Sequence, residues 1–350
     1  MEIYPWQQEI WHQIQARKGN LPHALLLQGR AGIGKFAFGQ LLAQGLLCES
    51  PLDSGLPCEK CAACGWFAQG SHPDYRLLEP EALSQAGDTS DDSQDSDAEG
   101  QKSTGKKASN QIKISQVRDL TDFVNLSTHR SGMRVIVIRP AEALNANTAN
   151  ALLKTLEEPP PHTLFLLISH QSQRLLPTIR SRCQKLDMPL PATEASINWL
   201  RSQGAVNAEL CLRQAGGAPL AALDLCNEDY QQSRKTFVDQ ISRPKSFDPM
   251  LVAESYQKTD LPTLLNWLQK WVHDLVSLKL TGEILYHPDF ANNLQLLCKS
   301  ANLSELLAYQ RELVATQRVI GHPLNALLLL ESLFLSYANI FEAGKELTHG

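Results

Sequence analysis

The feature that most constrains this chain is a glycine-rich loop, Gly29-Arg30-Ala31-Gly32-Ile33-Gly34-Lys35, set between two apolar stretches. Before it, His23 to Gln28 has the length of a buried strand. After it, Phe36 to Leu47 reads as a helix. Strand, glycine turn and helix in this order form the setting that a phosphate-binding loop requires. Gly29, Gly32 and Gly34 allow backbone N–H groups to turn inward, the helix N-terminus adds positive dipole, and Lys35 adds a charge.

The loop departs from the hydrolytic pattern at its last position. A Ser or Thr hydroxyl is needed there to hold Mg²⁺, and the residue is Phe36. The acidic residue that would hold the metal from a neighbouring strand is also missing. The strand candidate Met133 to Ile138 runs into Arg139-Pro140, and Glu142 falls late, at the start of a helix. Stabilising a transferring phosphoryl group depends on that ion, so the pattern argues against hydrolysis. Two readings stay open: nucleotide binding without turnover, or a tight strand-to-helix turn.

Around the loop, Met133 to Ile138 and Leu164 to Ser169 read as buried strands, and residues 7–17, 115–126 and 141–157 as helices. Strands alternating with helices imply a parallel sheet with helices on both faces. Beyond Pro189 and Pro191 everything reads as helix, with a second break at Arg243 to Pro249. The expected domains are an α/β P-loop core at 1–188, a small helical lid at 189–243 and an all-α domain at 244–350. In the last of these, Leu264, Leu268, Trp271, Leu275 and Leu278 recur on one helix face and are expected to form bundle core.

Cys48, Cys58, Cys61 and Cys64 are spaced C-x9-C-x2-C-x2-C. Four thiolates match a closed, structural zinc site and leave no open position for catalysis. An iron–sulfur cluster is the competing reading, but its further C-x3-C-P ligand is absent. Cys183, Cys211, Cys226 and Cys298 sit on apolar segments and are expected in the core. The N-terminus lacks a basic, then apolar, export signal and no stretch is apolar enough for a membrane, so a cytoplasmic protein with no membrane partner is expected.

The 350 residues carry a net charge of −5. The segment 79–110 holds eight acidic and three basic residues, which is the whole imbalance; the rest of the chain is neutral. Leu83 is its one large apolar residue, so 79–110 is expected to be a disordered surface insert.

Two further segments are specific: Asn150-Ala151-Leu152-Leu153-Lys154-Thr155-Leu156-Glu157-Glu158-Pro159-Pro160 and Thr178-Ile179-Arg180-Ser181-Arg182-Cys183. With the glycine loop and the cysteine knuckle, they resemble bacterial clamp-loader subunits of the AAA+ class, from the start of the chain to about residue 225 except for the acidic insert. Tyr4-Pro5-Trp6 and Gly70-Ser71-His72-Pro73-Asp74-Tyr75 narrow the likeness to one subunit type. The resemblance implies an AAA+ core and lid hung from a C-terminal helical collar. It implies that Arg182, in Ser181-Arg182-Cys183, is an arginine finger reaching into a neighbour's ATP site. It implies delta and tau/gamma subunits as partners, with the sliding clamp and primed DNA in the assembled complex.

Motor subunits of this family also carry an arginine on the lid; Gly216-Gly217-Ala218-Pro219 puts Pro219 there. Loss of three nucleotide-sensing groups with the trans-acting arginine retained implies a stator that hydrolyses nothing itself. The rival readings are an active gamma-like motor and a zinc-knuckle nucleic-acid binder.

Overall fold

The computed structural model describes residues 2–87, 109–125, 132–243, 246–320 and 325–342. The chain divides into two compact units, Met1–Ala195 and Ser196–Gly350.

Five parallel strands build the first unit: β1 (Ala24–Gln28), β2 (Tyr75–Leu78), β3 (Arg134–Ile138), β4 (Thr163–Ser169) and β5 (Gln184–Asp187), in the order β2-β3-β4-β1-β5. Every residue of β3 and β4 is buried, which explains why residues 135–138 and 164–168 are unbroken apolar runs. On one face, Leu26, Ile136, Ile138, Phe165 and Leu167 join Val117 and Leu120 of helix Ile114–Asn125 and Leu152 and Leu156 of helix Ala146–Glu157. The alternate residues Leu25, Leu27, Val137 and Leu166 are as deeply buried and point the other way. Helix Lys35–Leu47 packs against β1, β3 and β4. A Cβ on its Gly39 would lie 3.1 Å from Cδ1 of Ile168, so the glycine lets the helix approach β4 closely.

In the first unit the structure differs from the sequence reading in three places. The edge strands β2 and β5 were not legible: Gln184, Lys185 and Asp187 are exposed, as is Arg76, so neither edge carries an apolar run. The helix expected over 141–157 begins only at Ala146. Residues Ala141–Ala143 form a separate 3₁₀ turn, and Asn145 restarts the helix by accepting the backbone N–H of Thr148 at 2.9 Å. Of the insert expected to be disordered, residues 88–108 lie outside the described residues, but Glu81–Gly87 is a helix. Two of the insert's charges are committed: Glu79 pairs with Arg139 and Glu81 with Lys113.

The second unit is helical throughout its described residues. Its larger core contains Leu264, Leu268, Trp271 and Leu275, all fully buried, with Leu278 packed at the margin, as the stripe predicted. Trp271 Nε1 donates to the Tyr337 hydroxyl at 2.8 Å, which donates to the Ile241 carbonyl at 2.9 Å. A smaller cluster gathers Leu200, Ala208, Cys211, Leu212 and Ala222. Helix Glu228–Ile241, counted with the 189–243 lid in the sequence reading, sends Phe237, Val238 and Ile241 into the larger core instead. Among the described residues no helix is long and apolar enough to cross a membrane.

Candidate nucleotide-loop, metal and arginine sites

The glycine loop joins β1 to helix Lys35–Leu47 as its pattern predicts. Gly34 caps the helix with φ at +85°, a left-handed conformation that a Cβ disfavours. A Cβ there would also lie 2.5 Å from the Tyr4 ring. The segment before the first helix is laid against the loop: Trp6 Nε1 and Gln7 Nε2 both donate to the Ile33 carbonyl, at 3.0 and 2.9 Å. At Gly29 the constraint is a neighbour, since a Cβ would stand 2.3 Å from the Met188 carbonyl oxygen.

Lys35 is turned into its own loop. It is 2% exposed, and its Nζ donates to the carbonyls of Gly29, at 2.8 Å, and of Arg30. Burial pushes its pKa down to about 8, opposed by the Glu142 carboxylate. The two carbonyls take up two of the three ammonium donors that a phosphate would otherwise engage.

The two positions that would hold a metal hold each other. The Arg139 guanidinium lies over the Phe36 ring, 3.4 Å from its centroid, and its Nε donates to Glu79 Oε2 at 2.6 Å. A cation over an aromatic face contributes roughly 0.5–2 kcal/mol. Glu142 does not complement a helix terminus alone: it accepts the backbone N–H of His170, at the end of β4, at 3.0 Å. Burial, reinforced by the Lys35 charge, holds His170 below the usual histidine pKa, with Glu142 opposing.

Sequence reasoning missed Glu79, His170 and the contacts of Trp6 and Gln7 with the loop. Glu79 was masked by its place in the acidic segment. An arginine closing a buried strand does call for an acid nearby, which was the available signal.

The four knuckle cysteines come together, with all four sulfurs within 4.8 Å of one another. The Sγ of Cys48 lies 3.8 Å from that of Cys61 and 3.6 Å from that of Cys64. Thiolates about 2.3 Å from one tetrahedral ion would be spaced about 3.8 Å apart. Backbone N–H groups point at the sulfurs: Cys58 donates to Cys48 Sγ at 3.3 Å, Cys61 to Cys58 Sγ at 3.3 Å and Cys64 to Cys61 Sγ at 3.4 Å. Backbone hydrogen bonds from Lys60 and Cys61 bring the Cys58 pKa down to about 6. Glu59, left-handed at φ 57°, makes the turn between Cys58 and Lys60. Of the other cysteines, Cys183 and Cys211 are buried and Cys226 and Cys298 half-buried; burial pushes Cys183 to about 11.

Arg182 closes helix Pro177–Arg182. Its Nη1 donates to the Thr178 carbonyl at 2.9 Å and its Nη2 pairs with Glu157. Arg180, on the same helix, buries its Nε. In the second unit, Pro219 takes the first turn of helix Pro219–Leu225.

The comparisons agree along the chain. The family model described as DNA polymerase III, delta subunit, matches residues 6–191. Its C-terminal counterpart matches 228–338, beginning with the helix that feeds the larger core. The delta' subunit of DNA polymerase III from Pseudomonas aeruginosa is 37% identical over 349 residues, covering 97% of this chain and 98% of that protein. The delta' subunit from Escherichia coli is 30% identical over 280 residues, covering 78% of this chain and 76% of its own. A solved gamma-subunit-related protein from Thermotoga maritima aligns over 96% of this chain and 98% of its own at 14% identity, with a TM-score of 0.37. From its sheet to its last core helix, this chain belongs to the family of DNA polymerase III delta' subunits.

Proposed function

We propose that this chain is a non-hydrolysing stator of the replicative clamp loader. It assembles through its helical collar with delta and tau/gamma subunits in the cytoplasm, helps to open the sliding clamp and place it on primed DNA, and lends Arg182 to a neighbour's ATP site. The observation that carries the reading is the Phe36–Arg139 pair. A cation and an aromatic ring stand at the positions where a hydroxyl and a carboxylate would hold Mg²⁺. Glu79 completes the charge balance of the arginine, and Lys35 is satisfied by its own loop. The loop then serves as a rigid joint between β1 and helix Lys35–Leu47, and hydrolysis is left to the neighbours. A guanidinium on the exposed end of a short helix can still be delivered to phosphate oxygens in a partner.

Cys48, Cys58, Cys61 and Cys64 are proposed to hold a structural Zn²⁺. The fit lies in the spacing of the sulfurs and in the backbone N–H groups aimed at them. The sulfurs are close enough to share a single ion, whereas an iron–sulfur cluster spreads its thiolates over several irons. A bound ion would tie the end of helix Lys35–Leu47 to the start of helix Ala62–Ala68.

Two assays on the purified chain test the reading. It should release no phosphate from ATP with Mg²⁺, and metal analysis should find one zinc per chain. Mg²⁺-dependent turnover by the chain alone would replace the stator with a motor, and absence of metal would end the zinc assignment.

A further inference from the structure

Arg182 is held from two sides. Its Nη1 folds back onto the Thr178 carbonyl, one turn earlier in its own helix, and its Nη2 meets the Glu157 carboxylate. Both acceptors are firmly seated. Thr178 lies in helix Pro177–Arg182, whose Ile179 is fully buried, and Glu157 ends helix Ala146–Glu157, whose Leu152 and Leu156 share the same cluster as Ile179 and Cys183. After Glu158, Pro159 and Pro160 stop the helix, so its backbone ends at a fixed place beside the arginine. The pair itself remains accessible, with 32% of the Arg182 side chain and 47% of the Glu157 side chain exposed.

We infer that Glu157 is a positioning residue for Arg182. This rests on the proposed role of Arg182 as a trans-acting finger. A free arginine side chain samples many rotamers, and that freedom must be given up when the guanidinium meets a phosphate. Glu157 and the Thr178 carbonyl remove it beforehand. They fix the plane of the guanidinium with one N–H of each terminal nitrogen, and the other N–H groups stay available to phosphate oxygens. The carboxylate touches no nucleotide in this scheme. It acts through the arginine, and it also keeps the charge neutral until a partner docks.

The size is bounded by the exposure of the pair. An accessible ion pair contributes about 0.2–1 kcal/mol. Loss of Glu157 should therefore lower turnover by up to about fivefold, well short of loss of the arginine itself.

The test is a double-mutant cycle on the clamp loader reconstituted with delta and tau/gamma, reading DNA-stimulated ATP turnover. E157A should lower kcat by about two- to fivefold with the KM for ATP unchanged, and E157Q, which keeps an acceptor oxygen, should recover part of the loss. In the R182A background, E157A should have no further effect. Equal losses in both backgrounds, or wild-type turnover by E157A while R182A is impaired, would overturn the positioning role and leave the finger standing. Wild-type turnover by R182A would overturn both. Matching thermal midpoints for E157A and the wild type are expected; a fall in midpoint with the same fractional loss of turnover in both backgrounds would make Glu157 merely structural.

Discussion

At the scale of single residues, the proposed stator role rests on a phosphate loop that keeps its turn while its lysine is engaged within the loop. The glycines still make the turn, and Lys35 still follows Gly34, but the ammonium is spent on the carbonyls of Gly29 and Arg30. Charged hydrogen bonds of this kind contribute roughly 1.5–3 kcal/mol. K35A should therefore lower the thermal midpoint of the chain while leaving ATP turnover of the reconstituted complex within about twofold of wild type. The same substitution in a motor's loop would abolish its turnover, so a large loss in the complex would contradict this account. The missing metal groups were legible in the sequence, because Phe36 and Arg139 are the wrong chemical types at known spacings. That they face each other, and that Glu79 completes the arrangement, was not legible. The contact spans sixty residues and two strand ends, and no local pattern records it.

At the scale of elements, legibility followed burial. The strands β1, β3 and β4 were readable because both faces are covered and, away from the strand ends, every side chain is apolar. The edge strands were not, since half their side chains meet water. In the second unit the Leu264 to Leu278 stripe announced a core helix, but the polar support beneath it had no signature. Asp274, fully buried on that helix, accepts the backbone N–H groups of Leu285, Tyr286 and His287 and the ring of His287 at 2.9 Å. Burial works against the Asp274 charge, yet these donors bring its pKa below the usual carboxylate value. His287 is held below the usual histidine pKa, chiefly by burial, against the pull of Asp274. Both shifts are downward, so in each case the unfolded chain binds protons first. The stability they supply is complete above about pH 6.5 and is lost as the pH falls, first through His287 and then through Asp274. Denaturant midpoints measured from pH 7.5 downward should decline below about pH 6.5. D274A should remove the later, carboxylate part of that decline while leaving the His287 part in place, because Asp274 pulls the His287 pKa up and not down. It should also destabilise the second unit by about 3 kcal/mol or more at neutral pH, because it leaves several buried donors without an acceptor. A midpoint indifferent to pH, or a D274A protein as stable as wild type, would contradict this reading.

At the scale of the whole molecule, the acidity of the chain belongs to one segment. Where that segment is described, two of its charges are paired: Glu79 with Arg139 beside the glycine loop and Glu81 with Lys113 at the surface. The remaining body is electrically balanced. That suits a subunit working through protein interfaces, with DNA contact left to the assembled complex. The P-loop core, the cysteine cluster and the collar stripe were all readable from residue types and spacing. The allocation of helix Glu228–Ile241 was not, because an amphipathic helix between a larger and a smaller core in sequence fits either until packing decides. The central claim is that the chain completes a neighbour's ATP site and hydrolyses nothing itself. It is tested most directly by DNA-stimulated ATP turnover of the complex reconstituted with wild-type or R182A chain, at matched assembly by size-exclusion chromatography. The account predicts an intact R182A complex with severalfold lower turnover; full turnover with R182A would contradict it.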